Sequence, residues 1–336
     1  MAGVYVQTNE ANANRLLVFE RRDDGTLDNR GAVGTGGRGD GVPHLTSQGS
    51  VLLAGGGRHL LATNSGSGDV SLFAVGEGTP ELLGTFASGP APKSVAAHGD
   101  LVYVLNTGDA SLAGFRLGDG RLDPLSGSRR ELGAGADPAQ VGFSPDGSKL
   151  VVTQRGTDEL AVFEVGADGL LGTTHALASS GPTPYGFAFA PDGTLIVTEA
   201  FGAQRGKAAA SSYAPANGSL APVSRSVGNG RSEICWAVVT MDGRFAFTTN
   251  FADGAVSRYA ISADGSLALE SATAGTAVEG ATGLRDEGIS ADGRFLYAID
   301  ADSRQIFGWE IGGEGSLTPV GDWEGVPETV AGLAAS

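Results

Sequence analysis

The sequence predicts an all-β fold, a seven-bladed β-propeller with four-stranded blades, and three observations carry that reading. First, a hydrophobic run closing on an amide or acid recurs along the chain. The runs end in Val-Gln-Thr-Asn9, Leu-Ala-Thr-Asn64, Tyr-Val-Leu-Asn106, Val-Val-Thr-Gln154, Ile-Val-Thr-Glu199, Phe-Thr-Thr-Asn250 and Tyr-Ala-Ile-Asp300, at spacings of 55, 42, 48, 45, 51 and 50 residues. Repeats of roughly 40–50 residues built from short β-type segments are the signature of propeller blades. Second, four copies place an Asp-Gly turn between two apolar segments: Ser144-Pro145-Asp146-Gly147, Ala190-Pro191-Asp192-Gly193, Thr240-Met241-Asp242-Gly243 and Ser290-Ala291-Asp292-Gly293. Third, a Gly-Leu turn comes late in most copies, as in Asp24-Gly25-Thr26-Leu27, Asp119-Gly120-Arg121-Leu122, Asp168-Gly169-Leu170, Asn217-Gly218-Ser219-Leu220, Asp264-Gly265-Ser266-Leu267 and Glu314-Gly315-Ser316-Leu317.

Each repeat therefore reads as four strands in order: innermost, Asp-Gly hairpin, second strand, loop, third strand, Gly-Leu hairpin, outer strand. Asp-Gly and Asn-Gly suit these hairpins because the turn needs positive φ, which glycine adopts without a steric penalty. The N-terminus starts directly on a second strand, Val4 to Thr8, so its blade lacks an innermost strand. Pro327-Glu328-Thr329-Val330-Ala331-Gly332 resembles the opening of other blades, such as Pro138-Ala139-Gln140-Val141-Gly142-Phe143, and is expected to supply it. Residues 326–336 then join residues 1–36 as one blade, closing the ring and removing its open edges. The other blades run over about 42–89, 90–136, 137–182, 183–230, 231–280 and 281–325. No segment has sustained helical periodicity, so almost no helix is expected. Gly34-Thr35-Gly36-Gly37-Arg38-Gly39 is glycine-rich like a dinucleotide fingerprint, but no helix pattern follows and it reads as a flexible connection.

The composition fits one domain over residues 1–336, with no break or linker and 41% apolar residues to fill a core. Its 55 glycines fall at turns rather than in a collagen-like period. The net charge is −16, and no cationic cluster exceeds a pair such as Arg21-Arg22 or Arg129-Arg130, which argues against nucleic-acid binding. The single cysteine, Cys235, excludes an internal disulfide and a CxxC zinc site. The N-terminus lacks the basic and apolar regions of a signal peptide, and no apolar stretch reaches membrane length. The expectation is a cytoplasmic monomer with a small-molecule substrate, no membrane or nucleic-acid partner and no cofactor.

In a propeller the innermost strands line a central channel, and the polar run endings sit at one of its mouths. Asn9, Asn64, Asn106, Gln154, Glu199, Asn250 and Asp300 are expected to ring that mouth, with Asn64, Asn106, Gln154, Asn250 and Asp300 as substrate-binding candidates. An Asn or Asp at a strand end also commonly bonds its own turn. Glu199 and Asp300 depart from the amide pattern with an ionisable group, which marks Glu199 as a catalytic candidate. The starts of the innermost strands add Gln48, Lys93, Gln140, Tyr185 and Trp236 as binding candidates and Glu233, Arg285 and Asp286 as catalytic ones. Arg285-Asp286-Glu287 sets three charges side by side at a strand start, as a rim salt bridge or as an Arg that polarises a carbonyl beside an acid that activates water. Cys235 has no histidine nearby in sequence to activate it and reads as packing. The four histidines, His44, His59, His98 and His175, form no ligand pair, and His44 is the one best placed to reach the channel.

The blade motifs Val141-Gly142-Phe143-Ser144-Pro145-Asp146-Gly147 and Asp292-Gly293-Arg294-Phe295-Leu296-Tyr297, the Asp-Gly-Ser-Leu turns and the closing strand resemble the seven-bladed β-propeller lactonases. That family includes bacterial 6-phosphogluconolactonases and fungal carboxymuconate-lactonising enzymes. The resemblance spans the chain and implies a hydrolase or cycloisomerase acting on a small carboxylic compound in the channel. It also implies His or Arg and an acid at the starts of middle-blade innermost strands. Here those positions read Ala139-Gln140, Tyr185-Gly186 and Trp236, so the chain is expected to be a divergent branch that keeps the propeller and replaces the site. Two alternatives stay open. One is a non-catalytic propeller that binds a ligand or protein on its top face. The other is a channel holding a divalent cation through Glu199, Asp300 and the ring of Asn side chains.

Overall fold

The computed structural model describes residues 2–42 and 48–336. Its strands form seven antiparallel sheets in the expected order. Blade 1 joins Ala331–Ala335, Gly3–Gln7, Arg15–Arg21 and Leu27–Gly34, and blade 2 runs Val51–Ala54, His59–Asn64, Asp69–Ala74 and Glu81–Ala87. Blade 3 is Pro92–His98, Leu101–Asn106 and Ser111–Gly118 with a divided outer strand, Arg121–Pro124 and Arg130–Glu131. Blade 4 is Pro138–Phe143, Lys149–Gln154, Glu159–Val165 and Leu171–Ala178, and blade 5 is Pro184–Phe189, Leu195–Glu199, Ala209–Ala216 and Ser219–Gly228. Blade 6 is Ile234–Val239, Phe245–Asn250, Ala255–Ile261 and Leu267–Thr276, and blade 7 is Leu284–Ile289, Phe295–Asp300, Gln305–Ile311 and Leu317–Glu324. Among the described residues the only helical element is one 3-10 turn, Phe201–Ala203, and no helix is long and apolar enough to cross a membrane.

Burial follows the radial position of each strand. Second strands such as Leu101–Asn106, Phe245–Asn250 and Phe295–Asp300 are buried at every residue, because a neighbouring blade covers each of their faces. That is why they read as continuous apolar runs rather than as alternation. Outer strands meet water on one side, and Glu81–Ala87 alternates between exposed and half-buried along its length. The core is a ring of clusters between adjacent blades. One joins Tyr103, Leu105, Val141, Val152 and Phe163, and another joins Val4, Phe19, Phe295, Tyr297 and Ile306 across the closure. Each buried side chain of this size is worth roughly 1.5–3 kcal/mol when removed from water.

The Asp-Gly turns show how a local signal fixes the hairpin. Ser144 donates to Oδ1 of Asp146 at 2.6 Å, the Ser148 N–H donates to the same atom at 3.0 Å, and Gly147 takes φ 70°. The same arrangement recurs around Asp242 and Asp292.

The ring closes as expected but with a shifted strand. The pairing partner of Gly3–Gln7 is Ala331–Ala335, with Val4 opposite Ala335, Tyr5 opposite Ala334 and Val6 opposite Leu333. Pro327–Val330, expected within that strand, instead forms a turn in which the Val330 N–H donates to the Pro327 carbonyl at 3.1 Å. Pro92, Pro138 and Pro184 open the innermost strands of blades 3, 4 and 5, so a proline does not by itself bar the ladder; here the chain turns after Pro327, and pairing begins at the small residues Ala331 and Gly332. The expected flexible connection is also corrected. Thr35–Asp40 is stitched down, with Thr35 Oγ1 donating to Asn64 at 2.8 Å, Gly39 N–H to Glu10 O at 2.9 Å and Arg38 N–H to Ser67 at 2.9 Å. Its glycines allow backbone to touch backbone: a Cβ on Gly39 would lie 2.1 Å from the Asn9 carbonyl oxygen.

Candidate functional site

The ladder register identifies equivalent channel positions. Pro92, Pro138, Pro184, Ile234 and Leu284 lie opposite Asn106, Gln154, Glu199, Asn250 and Asp300, and in each blade the register shifts immediately afterwards. The next residues, Lys93, Ala139, Tyr185, Cys235 and Arg285, form one level of the channel wall. Ser94, Gln140, Gly186, Trp236 and Asp286 form the level beneath it.

The polar ring does not face this channel. Glu199 is fully buried and turned outward into blade 5, where it accepts from the Gly181 N–H at 2.8 Å, from Ser211 on the third strand at 2.5 Å and from Ser226 on the outer strand at 2.7 Å. Asn64 donates to Asp69 and Ser71 and accepts from Asn14 and Thr35, all within the seam of blades 1 and 2. Asn250 bonds the Ala255 carbonyl, Ser257 and Asn229. Asn106 donates to the Ser88 carbonyl at 3.1 Å, Asp300 accepts from the Ser303 N–H at 2.8 Å, and Gln154 is buried at the same register position. The expectation of a polar mouth is corrected accordingly: these groups satisfy the loop between second and third strands. Their oxygens lie in separate blades and do not converge as a ligand set, and among the described residues no group of three or more His, Cys, Asp or Glu is placed to hold a metal ion.

Ala139, Tyr185 and Cys235 of the upper level join Trp236 of the level beneath and Ala200 in one buried cluster against Phe251. Tyr185 packs edge-on to Trp236 at 6.0 Å, and the Arg155 guanidinium lies 5.0 Å from the Tyr185 ring centroid. Arg285 is 1% exposed, 5.7 Å from the Phe251 ring centroid, with its Nη1 donating to the Val330 carbonyl at 3.5 Å. Burial pushes the Tyr185 hydroxyl and the Cys235 thiol well above their ordinary values and pulls Arg285 below its own, which Asp286 and Asp302 oppose. A thiol held neutral in this way is a packing group, as its sequence context implied. Lys93 pairs with Asp40 at 3.3 Å. Glu233 is half-buried with φ 54°, but Ala91, Asp137 and Thr183 take positive φ at the same place in their blades, so the strain belongs to the repeat.

Beneath this level the channel is crossed. Gln48, from the start of blade 2, reaches blade 6 and clamps one residue's backbone: its Nε2 donates to the Ala237 carbonyl at 2.9 Å and its Oε1 accepts from the Ala237 N–H at 3.2 Å. Gly186 makes room for the crossing, since a Cβ there would lie 2.3 Å from Gln48 Oε1 and 2.3 Å from the Cys235 carbonyl oxygen. Gln140 clamps its neighbouring blade in the same manner, donating to the Phe187 carbonyl at 3.0 Å and accepting from the Phe187 N–H at 2.6 Å.

Below Gln48 lies a cavity of about 410 Å³, running to the hairpin-turn face at His98, Ser144 and Pro145. Its inner wall carries Asp286 and Glu287, which are 3% and 4% exposed. By strict hydrogen-bond geometry neither Glu287 carboxyl oxygen is satisfied among the described residues, and neither is Oδ2 of Asp286, although the Thr249 backbone N–H lies close enough to Glu287 to pull its carboxyl down. Burial pushes Asp286 up to about 7 although the Gly332 N–H and Arg285 pull the other way, and it pushes Glu287 well above the carboxylate range, with Asp286 adding to the rise and the Thr249 N–H opposing it. Two adjacent buried carboxyls that make no ion pair hold their protons to higher pH than ordinary carboxylates do. Such a pair can accept a proton from water with one member and donate one with the other.

The structure thus brings together Gln48, Gln140 and Asp286 around the cavity, sets Tyr185, Trp236 and Arg285 behind its inner end, and leaves Glu199, Lys93, Glu233 and the amide ring elsewhere. Glu287 stood in the sequence beside Asp286, but its role was hidden because a strand start gives no clue to which of three charges faces the channel. His98, which in sequence forms no ligand pair, lies exposed at the cavity rim. His44 lies outside the described residues.

A sequence profile described as "Lactonase, 7-bladed beta-propeller" matches residues 121–201 and 197–329, more than half of the chain. No curated protein matches the sequence. Among solved structures, a candidate 6-phosphogluconolactonase from Bacteroides fragilis NCTC 9343 is 20% identical, with a TM-score of 0.74 over 100% of this chain and 98% of that one. The periplasmic gluconolactonase of Pseudomonas aeruginosa is 18% identical, with a TM-score of 0.75 over 99% and 98% of the two chains. A candidate 6-phosphogluconolactonase from Bacteroides uniformis ATCC 8492 is 19% identical, with a TM-score of 0.72 over 98% and 99%. At these identities the likeness is one of fold.

Proposed function

This chain belongs to the seven-bladed β-propeller lactonase family, and from that premise we propose that it is a hydrolase opening a lactone ring in the cavity below Gln48. The observation that carries the reading is the pair of buried, incompletely satisfied carboxyls of Asp286 and Glu287 on the wall of that cavity. Hydrolysis adds water across the ring C–O bond. The Asp286 carboxylate accepts a proton from the attacking water, and the protonated Glu287 carboxyl donates first a hydrogen bond to the carbonyl oxygen and then a proton to the departing ring oxygen. The hydroxy acid formed is ionised at neutral pH, and its carboxylate is repelled by the negative charge that the two proton transfers have moved from Asp286 to Glu287, which favours release.

Arg285 acts from behind the pair. Its charge lowers the Asp286 carboxyl and keeps that group close to neutrality, where a general base works best. Gln140 and Gln48 hold the wall, since both of their amide ends are committed to backbone groups. Purified protein assayed by proton release against γ- and δ-lactones tests the proposal. Turnover that disappears in Asp286→Asn and Glu287→Gln is the expected result. A folded protein that binds lactones without opening any of them would leave the non-catalytic binding reading in its place.

A further inference from the structure

We infer that the channel is a blind pocket reached from the hairpin-turn face, and that it admits uncharged or cationic ligands and rejects anionic ones. This deepens the lactonase reading and rests on it only for the word substrate; the pocket stands on geometry. Its inner end is shut by the Gln48 clamp on Ala237 and by the close approach of Gly186. Its open end lies among His98, Ser144 and Pro145, at the hairpins joining first and second strands.

The wall decides the charge. None of the residues lining the cavity is a lysine or arginine, and the acids Asp286 and Glu287 stand at its inner end. Both are more than nine-tenths buried, and three of their four oxygens lack a hydrogen bond of good geometry among the described residues, the Thr249 N–H being the one backbone donor beside Glu287. Arg285 cannot serve as a counter-charge within the cavity, because its guanidinium lies against Phe251 and the Val330 carbonyl. A phosphate or carboxylate carried into this space would lose its water and meet like charge or protonated acid, with no cation to replace the solvation. A neutral ring offers the opposite: a hydroxyl or N–H to donate to the carboxyl oxygens, a carbonyl to accept from a protonated carboxyl, and apolar faces for Val95, Val141 and Leu333.

Lactams test this apart from turnover, because they keep the ring and resist hydrolysis. Binding of 2-piperidinone and of its anionic relative 6-oxopiperidine-2-carboxylate is followed by chemical-shift titration of the full-length protein. The neutral lactam should bind at least about tenfold more tightly, equivalent to roughly 1.4 kcal/mol, and Glu287→Gln should shrink the ratio. Ala97→Trp, which fills the open end, should weaken binding of the neutral lactam at least fivefold while the melting curve stays cooperative; Leu52→Trp serves as a second block should the first fail to fold. Equal or tighter binding of the anion overturns the inference, as does unchanged binding in a folded blocked variant. No binding of either lactam up to about 0.1 M overturns it too, since a ligand of this size then gains nothing from the cavity. Lactone hydrolysis that prefers anionic rings would remove the inference and leave the lactonase reading standing; selective lactam binding without any lactone hydrolysis would do the reverse.

Discussion

Glu199 and Glu287 are both buried glutamates in this propeller, 0% and 4% exposed, and their surroundings assign them opposite work. Glu199 ends the second strand of blade 5 and collects three donors, from Gly181, Ser211 and Ser226. Glu287 lies one strand nearer the axis in blade 7, and neither of its oxygens makes a hydrogen bond of good geometry among the described residues. Burial raises both carboxyls, but for Glu199 three hydrogen bonds oppose the rise, whereas for Glu287 the neighbouring Asp286 increases it and the Thr249 backbone N–H alone pulls against it. An acid whose hydrogen bonds are complete holds a loop in place. An acid left incomplete beside a cavity costs stability in the free protein and has capacity to give to a ligand.

The comparison breaks most sharply in turnover. Asp286→Asn and Glu287→Gln should each lower kcat by about 10²–10⁴-fold, whereas Glu199→Gln should stay within a few-fold of wild type. Initial rates of lactone opening measure this, and a Glu199→Gln loss as deep as that of Glu287→Gln would erase the distinction.

Stability should show the reverse order. Glu199→Ala strands the Gly181 N–H and two hydroxyls in the blade and should cost roughly 2–3 kcal/mol in urea unfolding. Glu287→Gln removes a group that must be protonated or desolvated, and at pH 8 it should stabilise the fold by roughly 1–3 kcal/mol. A Glu287→Gln variant less stable than wild type at that pH would show that the carboxyl is satisfied after all.

The pH dependence of stability sharpens the same point. Asp286 rises from 3.8 in the unfolded chain to about 7 in the folded one. Across that window the folded chain keeps a proton that the unfolded chain has released, so the contribution of this group falls as pH rises from about 4 to 7 and the full cost stands above it. Urea midpoints of wild type and Asp286→Asn should therefore converge towards pH 4 and separate by pH 8. The turnover rate should climb through about pH 7 as Asp286 ionises.

The smallest expected effect lies at the surface. Asp146, held at about 2 by Ser144 and Ser148, adds stability that is present above its unfolded value and lost as pH falls through the folded one. It is exposed, so solvent screening limits Asp146→Ala to roughly 0.5 kcal/mol. A larger loss would mean that the hairpin turn matters more to the blade than its own hydrogen bonds imply.

Much of this was legible in the chain itself. Seven apolar runs at a blade-sized spacing, Asp-Gly hairpins that need positive φ, and an N-terminus missing its innermost strand are local facts, and local facts determined the number of blades, their order and the closure. Even there, which residues closed the ring depended on neighbours: the chain turns over Pro327–Val330, and pairing with Gly3–Gln7 begins only at Ala331. Whether a polar side chain faces the channel or its own blade was not written locally. Glu199 and Glu287 look alike in sequence, and so do Gln140, which clamps the next blade, and Gln48, which crosses the axis to Ala237, 189 positions along the chain. Only closing the ring decides which of these groups find a donor. A hydrogen bond is satisfied by atoms from distant parts of the chain, and those that reach Asp286 and Glu287, the backbone N–H groups of Gly332 and Thr249, leave three of the four carboxyl oxygens short of a well-formed bond.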